Sequence, residues 1–197
     1  MSGVRTSVGL AWVSALLLAA PLQAQINPGP LAKPHAQLEG ALRCVNCHGG
    51  GSKEQMTVRC LECHKEIASL RQQNRGYHAR VQPQPCSSCH PDHAGREFAL
   101  IAWPERDAAR FDHALAGWPL EGRHAAIKCA DCHKAAFRTG PAAALSPQPA
   151  AAPGWVGLET TCTSCHRDVH RRSLGQNCVS CHDTEHWSPA PKFEWVA

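Results

Sequence analysis

The pattern of hydrophobic and polar positions predicts few regular elements in this chain. The clearest is a helix that begins near Ser52, where Ser-Lys-Glu-Gln is typical of an N-terminal capping box. Apolar side chains then recur mostly on one helical face, at Met56, Leu61, Ile67 and Leu70. Gly76 is the predicted end of this helix, because glycine readily adopts the backbone conformation found at helix C-termini.

The first 24 residues are typical of a signal peptide. Arg5 supplies a positive charge, an apolar run covers residues 8–20, and Pro21 precedes a cleavage site after Ala24. An uncleaved membrane anchor is the alternative, but the run is shorter than the roughly 18 apolar residues that a spanning helix needs. We predict a cleaved signal peptide over 1–24 and a periplasmic or extracellular mature protein.

The composition is too poor in large apolar residues for a conventional core. Hydrophobic residues make up 43% of the chain and aromatic residues 6%, whereas there are 12 cysteines and 13 histidines. The interior must therefore be cross-linked, or built around something other than side chains.

Every cysteine belongs to a Cys-x-x-Cys-His motif, which occurs six times. The cysteines are Cys44, Cys47, Cys60, Cys63, Cys86, Cys89, Cys129, Cys132, Cys162, Cys165, Cys178 and Cys181. The histidines that close the motifs are His48, His64, His90, His133, His166 and His182. This spacing is the signature of covalent attachment of haem c.

The chemistry of attachment explains the spacing. The two sulfurs form thioether bonds to the two vinyl groups on one porphyrin edge, and the histidine that follows binds the iron as its proximal ligand. Six disulfides, three zinc sites or a dithiol oxidoreductase are the alternatives for paired cysteines. None of these three requires a histidine after every pair, so we predict six haem c groups as the cofactors.

Six haems leave about 29 residues of mature chain for each of them. We therefore expect a multihaem cytochrome c fold built around a haem core. It would be mostly irregular, with a few short α-helices and little or no β-sheet. Two motif pairs, Cys44 with Cys60 and Cys162 with Cys178, have the same separation of 16 residues.

We use this repeated separation to divide the mature chain into two three-haem halves, 25–101 and 102–197. The Ala/Pro-rich stretch 138–153 is predicted to be a flexible or partly extended insertion in the second half.

Seven histidines outside the motifs are candidates for the second axial ligand. They are His35, His78, His93, His113, His124, His170 and His186, of which His186 is the weakest. Met56 is the one methionine after the signal peptide, so bis-histidine ligation is the economical interpretation. With both axial positions filled, the iron cannot bind a substrate, and two nitrogen donors favour a low reduction potential.

The formal charge of +4 does not indicate a nucleic-acid-binding protein. Lysine and arginine are scattered along the chain, whereas a phosphate-binding surface needs them clustered. Each haem would also add two propionates. We therefore expect no nucleic-acid partner.

Several segments are similar to those of the low-potential multihaem cytochromes of the c3/c7-like class. The most specific are Phe111-Asp-His113, Trp118-Pro-Leu-Glu-Gly-Arg-His124 and Cys129-Ala-Asp-Cys132-His133, and the resemblance covers residues 30–187. It implies bis-histidine haems, a periplasmic or extracellular setting and an electron-carrying role. It also implies distal ligation by His93, His113, His124 and His170, with at least one of His113 and His124 serving a haem other than that of the adjacent motif.

We therefore predict an electron carrier or conduit with no catalytic residues. The alternative is a haem-based reductase of a nitrogen or sulfur oxyanion, or its electron-transfer subunit. The expected partners are redox proteins that donate and accept electrons. Docking on a membrane-associated electron-transfer complex and self-assembly into filaments are further alternatives.

Overall fold

The computed structural model describes residues 28–81, 83–147 and 154–194. These residues form five α-helices: α1 (Lys53–Cys63), α2 (Lys65–Gln72), α3 (Tyr77–Arg80), α4 (Cys129–Cys132) and α5 (Pro141–Ala144). Short 3₁₀ turns lie between them, including Lys33–Leu38, Cys44–Asn46, Cys86–Ser88, His113–Ala116, Gly122–Ala126, Cys162–Ser164 and Cys178–Ser180. No strand occurs in these three ranges. The predicted fold, mostly irregular with short helices and no sheet, is confirmed.

The predicted capping box is present at the start of α1. The Gln55 N–H donates to Ser52 Oγ, and the Ser52 N–H donates to Gln55 Oε1, both at 3.2 Å. The prediction of one helix from this cap to Gly76 is wrong. The helix breaks at His64, where ψ is +61°, and resumes as α2, which ends at Gln72. Apolar residues recur at helical spacing in both segments, so the sequence pattern alone does not reveal the break.

The first part of the Ala/Pro-rich stretch is ordered and packed. Helix α5 lies against α2, and Ala142 is only 4% exposed. Pro141 occupies the first turn of α5, where its fixed φ favours a helix and no N–H is needed. The prediction of a flexible or partly extended insertion over residues 138–153 did not anticipate this helix, while residues 148–153 and the predicted signal peptide lie outside the described residues.

The described residues bury very few large side chains against one another. Leu31, Ala32 and Ala142 are the buried apolar residues, and no large side chain in the described ranges is fully buried. Apolar residues next to the motifs are instead exposed, as at Leu42, which is 91% exposed. Side-chain packing alone therefore does not form a core here.

The two parts of the chain that each carry three motifs contact one another. Helix α2 packs on α5, and α3 packs on the 3₁₀ turn His113–Ala116. Arg75 and Glu159 form an ion pair at 2.8 Å across the same boundary. No helix of the described ranges is long and apolar enough to cross a membrane.

Candidate haem-binding sites

The residues of each Cys-x-x-Cys-His motif form one helical turn, which at the second motif is the last turn of α1. In all six motifs the backbone N–H of the closing histidine donates to the carbonyl of the first cysteine, at 2.8–2.9 Å. This bond fixes the histidine about one turn after that cysteine, which places the side chains of both residues on the same side of the turn. None of the twelve motif cysteines is paired in a disulfide.

Each motif histidine lies beside one histidine from outside the motifs. The ring centroids in these six pairs are 6.0–6.3 Å apart. The pairs, with the motif histidine first, are His48 with His93, His64 with His35, His90 with His78, His133 with His113, His166 with His124, and His182 with His170. The described residues contain no cluster of three or more histidine, cysteine, aspartate or glutamate side chains that suits a bare metal ion.

The separation within the pairs fits one metal atom between two imidazoles. Metal–nitrogen bonds of about 2.0 Å, with ~1.1 Å more from nitrogen to ring centroid on each side, place the centroids about 6.2 Å apart. A haem iron needs only two protein ligands, because the porphyrin supplies the other four. The donor set and its spacing therefore fit haem.

The fourth motif shows the room available beside such a pair. A cavity of about 450 Å³ is lined by both histidines of this pair, His113 and His133, and by both cysteines of the motif, Cys129 and Cys132. This volume lies within the range of cofactor and ligand pockets. The groups that would tether and ligate one haem thus border a single cavity.

The structure separates His186 from the other six candidates. Its side chain is 70% exposed and its Nδ1 lies 3.8 Å from Asp183 Oδ1. Among the described residues, no ring contact joins it to a motif histidine. His186 was also the weakest candidate from the sequence.

The pairs follow the chain only in part. His113 lies beside His133 of the next motif, but His124 passes over that motif to His166. All six pairs stay within residues 25–101 or within residues 102–197.

Hydrogen bonds orient several of these rings. Backbone carbonyls accept from Nδ1 of four of them: His90 to Leu100, His93 to Gly29, His133 to Gly154, and His182 to Trp187, at 2.5–3.2 Å. Carboxylates accept from two others, His35 to Asp92 at 2.5 Å and His64 to Glu66 at 3.2 Å. A proton held on Nδ1 leaves the lone pair on Nε2, which is the nitrogen available to a metal.

The local environment favours the neutral imidazole at two pairs. Burial lowers the pKa of His78, and burial also lowers the pKa of His133 although its bond to the Gly154 carbonyl opposes this. Partial burial raises the pKa of Asp92, but hydrogen bonds from the Ala32 N–H and from His35 outweigh it and hold that pKa below its ordinary value.

Cysteines of successive motifs are neighbours. Burial and the nearby Cys86 and Cys47 thiols raise the pKa of Cys60 to about 11. Desolvation raises the pKa of Cys165, and the nearby Cys132 thiol raises it further. Desolvation likewise raises the pKa of Cys178, and the nearby Cys162 thiol adds to this effect. Motifs one, two and three are therefore close together, and so are motifs four, five and six.

Aromatic side chains contact the histidine pairs. Trp187 stacks against two motif histidines, with its ring centroid 5.3 Å from that of His166 and 4.4 Å from that of His182. Tyr77 contacts His78 at 5.7 Å and Phe111 at 5.6 Å, and Phe111 contacts His113 at 5.4 Å. This line of rings joins the third histidine pair to the fourth.

Sequence reasoning missed the supporting residues Glu66, Asp92, Tyr77 and Trp187. An acidic residue within two positions of a candidate ligand would have indicated Glu66, after His64, and Asp92, before His93. No local pattern marks Trp187, whose contacts depend on how two motifs approach one another.

Two family models match separate parts of the chain. Residues 20–99 match the class III cytochrome C family, and residues 120–183 match cytochrome c7 and related cytochrome c. Neither the curated proteins nor the solved structures contain a match. The two matches agree with the resemblance seen in the motifs. Together the two matches support a multihaem cytochrome of the c3/c7-like class, and these families transfer electrons by means of haem.

Proposed function

We propose that this protein carries electrons through six covalently attached haems, each ligated by two histidines. The observation that carries this proposal is the set of six imidazole pairs, each joining a motif histidine to a different histidine from elsewhere in the chain. When bound, haem iron supplies a one-electron couple, and two nitrogen ligands favour a low reduction potential.

The residues then have distinct roles at each site. The two cysteines tether the group, the motif histidine supplies the proximal imidazole, and the second histidine closes the opposite face. Carbonyl and carboxylate acceptors hold Nδ1–H and so fix which nitrogen faces the metal. His186 is the spare histidine.

The arrangement of the six motifs supports a continuous route for electrons through the molecule. The neighbouring cysteines support a grouping of sites one to three in residues 25–101 and of sites four to six in residues 102–197. The two family matches also fall on opposite sides of this division. Tyr77 and Phe111 provide the contact between the third and fourth histidine pairs. We propose two three-haem halves connected by these two rings.

Replacing Tyr77 by leucine is expected to slow electron transfer between the halves several-fold, because the ring contacts with His78 and Phe111 are lost. Transient absorption after photoreduction from a sensitiser attached to one half measures the redistribution. Tyr77→Phe keeps the ring and is the matched control, so its rate should equal that of the parent protein. Equal rates in the leucine variant would contradict a route through this contact.

The proposed haem set is tested by mass and by carbon monoxide. The mature protein is expected to have the mass of the chain plus six haems, and its reduced form to bind no stoichiometric carbon monoxide at neutral pH. Both axial positions are filled by imidazole, so the gas has no open site. A colourless protein with the mass of the bare chain would contradict the whole proposal.

A haem-based reductase needs an iron with an open or displaceable ligand. Every motif histidine has a second imidazole at a similar separation, which supports a carrier over an enzyme. A high-spin signal in electron paramagnetic resonance of the parent protein would favour the reductase.

We further propose a periplasmic or extracellular setting, with redox proteins as donor and acceptor. The predicted signal peptide supports this location. Size in solution distinguishes a monomeric carrier from a subunit of a membrane-associated complex or a filament.

A further inference from the structure

The histidine pair at the second motif differs from the other five in the acceptors beside it. His64 Nδ1 donates to Glu66 Oε1 at 3.2 Å, and His35 Nδ1 donates to Asp92 Oδ2 at 2.5 Å. Both rings of one pair, 6.0 Å apart, thus donate to carboxylates.

The other rings with Nδ1 acceptors lack this feature. In the described residues, His90, His93, His133 and His182 donate to neutral backbone carbonyls. The nearest comparable carboxylate is Asp168, whose Oδ1 lies 3.5 Å from His170 Nδ1. The partner of that ring, His182, has a carbonyl acceptor, so no other pair in the described ranges has carboxylate acceptors on both sides.

Glu66 is shielded from water. Its side chain is 7% exposed, and α2, which carries it, packs against α5. Its second oxygen, Oε2, is buried and has no hydrogen-bond partner in the described residues. The His64 ring is thus the donor on which this carboxylate acts, and a hydrogen bond is stronger in such a poorly polarisable environment. The position of Glu66 in the first turn of α2 also favours negative charge through the helix dipole.

Asp92 is fixed from the opposite side. Its Oδ1 accepts from the Ala32 N–H at 2.7 Å and from the His93 N–H at 3.2 Å, while Oδ2 faces His35. Ala32 is fully buried, so this anchor is part of the small packed region of the molecule. The carboxylate therefore holds one orientation towards the His35 ring.

A carboxylate that accepts from the Nδ1–H of a ligating imidazole increases the electron density of that ring and makes it a stronger donor to the metal. A stronger donor, with negative charge close by, stabilises the oxidised iron more than the reduced iron. Building on the proposed bis-histidine haems, we propose that Glu66 and Asp92 make the haem attached to Cys60 and Cys63 the one with the lowest reduction potential. They act as positioning residues through His64 and His35.

The second motif lies beside both other motifs of its half. Cys60 lies near Cys47 of the first motif and Cys86 of the third. The site therefore lies beside both other sites of its half, so an electron that passes between those two sites through this one must cross the most reducing haem. A route through the second site thus contains an energetic step.

Potentiometric titration of Glu66→Gln and Asp92→Asn tests this inference. Each substitution preserves side-chain size and removes a charge. We expect each substitution to change the oxidised-to-reduced ratio of this haem at a fixed potential about tenfold. For a one-electron couple this raises the lowest reduction potential by ~59 mV. Electron paramagnetic resonance should show altered g values for one low-spin haem and no high-spin signal.

Asp168→Asn is the matched control, because it neutralises a carboxylate near the ligand candidate His170 whose Oδ1 lies farther from the ring, at 3.5 Å from Nδ1. It should leave the lowest potential unchanged. Cys60→Ala/Cys63→Ala assigns the couple, since this protein should lack the lowest potential altogether.

The outcomes separate this inference from the proposed function. A protein without haem, or with high-spin parent haems, contradicts the bis-histidine proposal itself. Six low-spin haems whose lowest potential is unchanged in both charge-neutralising variants would overturn the role of Glu66 and Asp92 alone. Persistence of the lowest potential in the Cys60→Ala/Cys63→Ala protein would also overturn it.

Discussion

Replacing His124 by alanine is expected to give one high-spin haem that binds carbon monoxide, while the other five stay low-spin. His124 lies 6.1 Å from His166, centroid to centroid, so alanine would leave the iron at the fifth motif with one protein ligand. An open axial position changes the spin state and admits an external ligand. Electron paramagnetic resonance and carbon monoxide titration of the reduced protein measure the two effects.

Two further variants make this test specific. His186→Ala removes an exposed histidine that has no motif histidine beside it, and it should leave all haems low-spin. Combining His124→Ala with Cys162→Ala/Cys165→Ala should abolish the high-spin signal, because the affected haem is no longer attached. A signal that disappears only with Cys129→Ala/Cys132→Ala would show that His124 serves the adjacent motif, contrary to the structure.

Preventing haem attachment is expected to leave the mature chain largely unfolded, with complete loss of a cooperative thermal transition. Burying a leucine side chain contributes about 2 kcal/mol, whereas ordering the backbone of one residue costs about 1–2 kcal/mol. Leu31, Ala32 and Ala142 are the buried apolar residues of the described ranges, and they cannot offset that cost. Helices α1 and α2 are also shorter than the roughly 12–15 residues that an isolated helix needs.

Circular dichroism and hydrogen exchange of the chain produced without haem measure this loss, and the haem-loaded protein is the control. The loaded protein should protect the amides of the motif turns, where the histidine N–H is hydrogen-bonded to the first cysteine. A haem-free chain that melts cooperatively, with protected amides at these turns, would contradict a fold that depends on the cofactor.

The chemistry of the sites was readable from the sequence because it depends on short-range spacing. Two sulfurs and an imidazole must reach one porphyrin, and this requires the five-residue motif whatever the rest of the chain does. The same is true of the Ser52 capping box, whose two hydrogen bonds span three residues. The break at His64 could not be predicted, because it depends on the conformation of one residue. The packing of α5 could not be predicted either, because it depends on α2, which is distant in the chain.

The sequence by itself predicted the kind of cofactor, the residues that would attach it and the set of histidines from which second ligands could come. Only the tertiary structure decided which histidines meet, that His186 lies apart, and that Glu66 and Asp92 stand on either side of one pair. Thioether and proximal contacts lie within one turn of chain, whereas the second imidazole arrives from up to 45 residues away, as at His48 and His93. Contacts over such separations are set by how the whole chain packs, which no local pattern encodes.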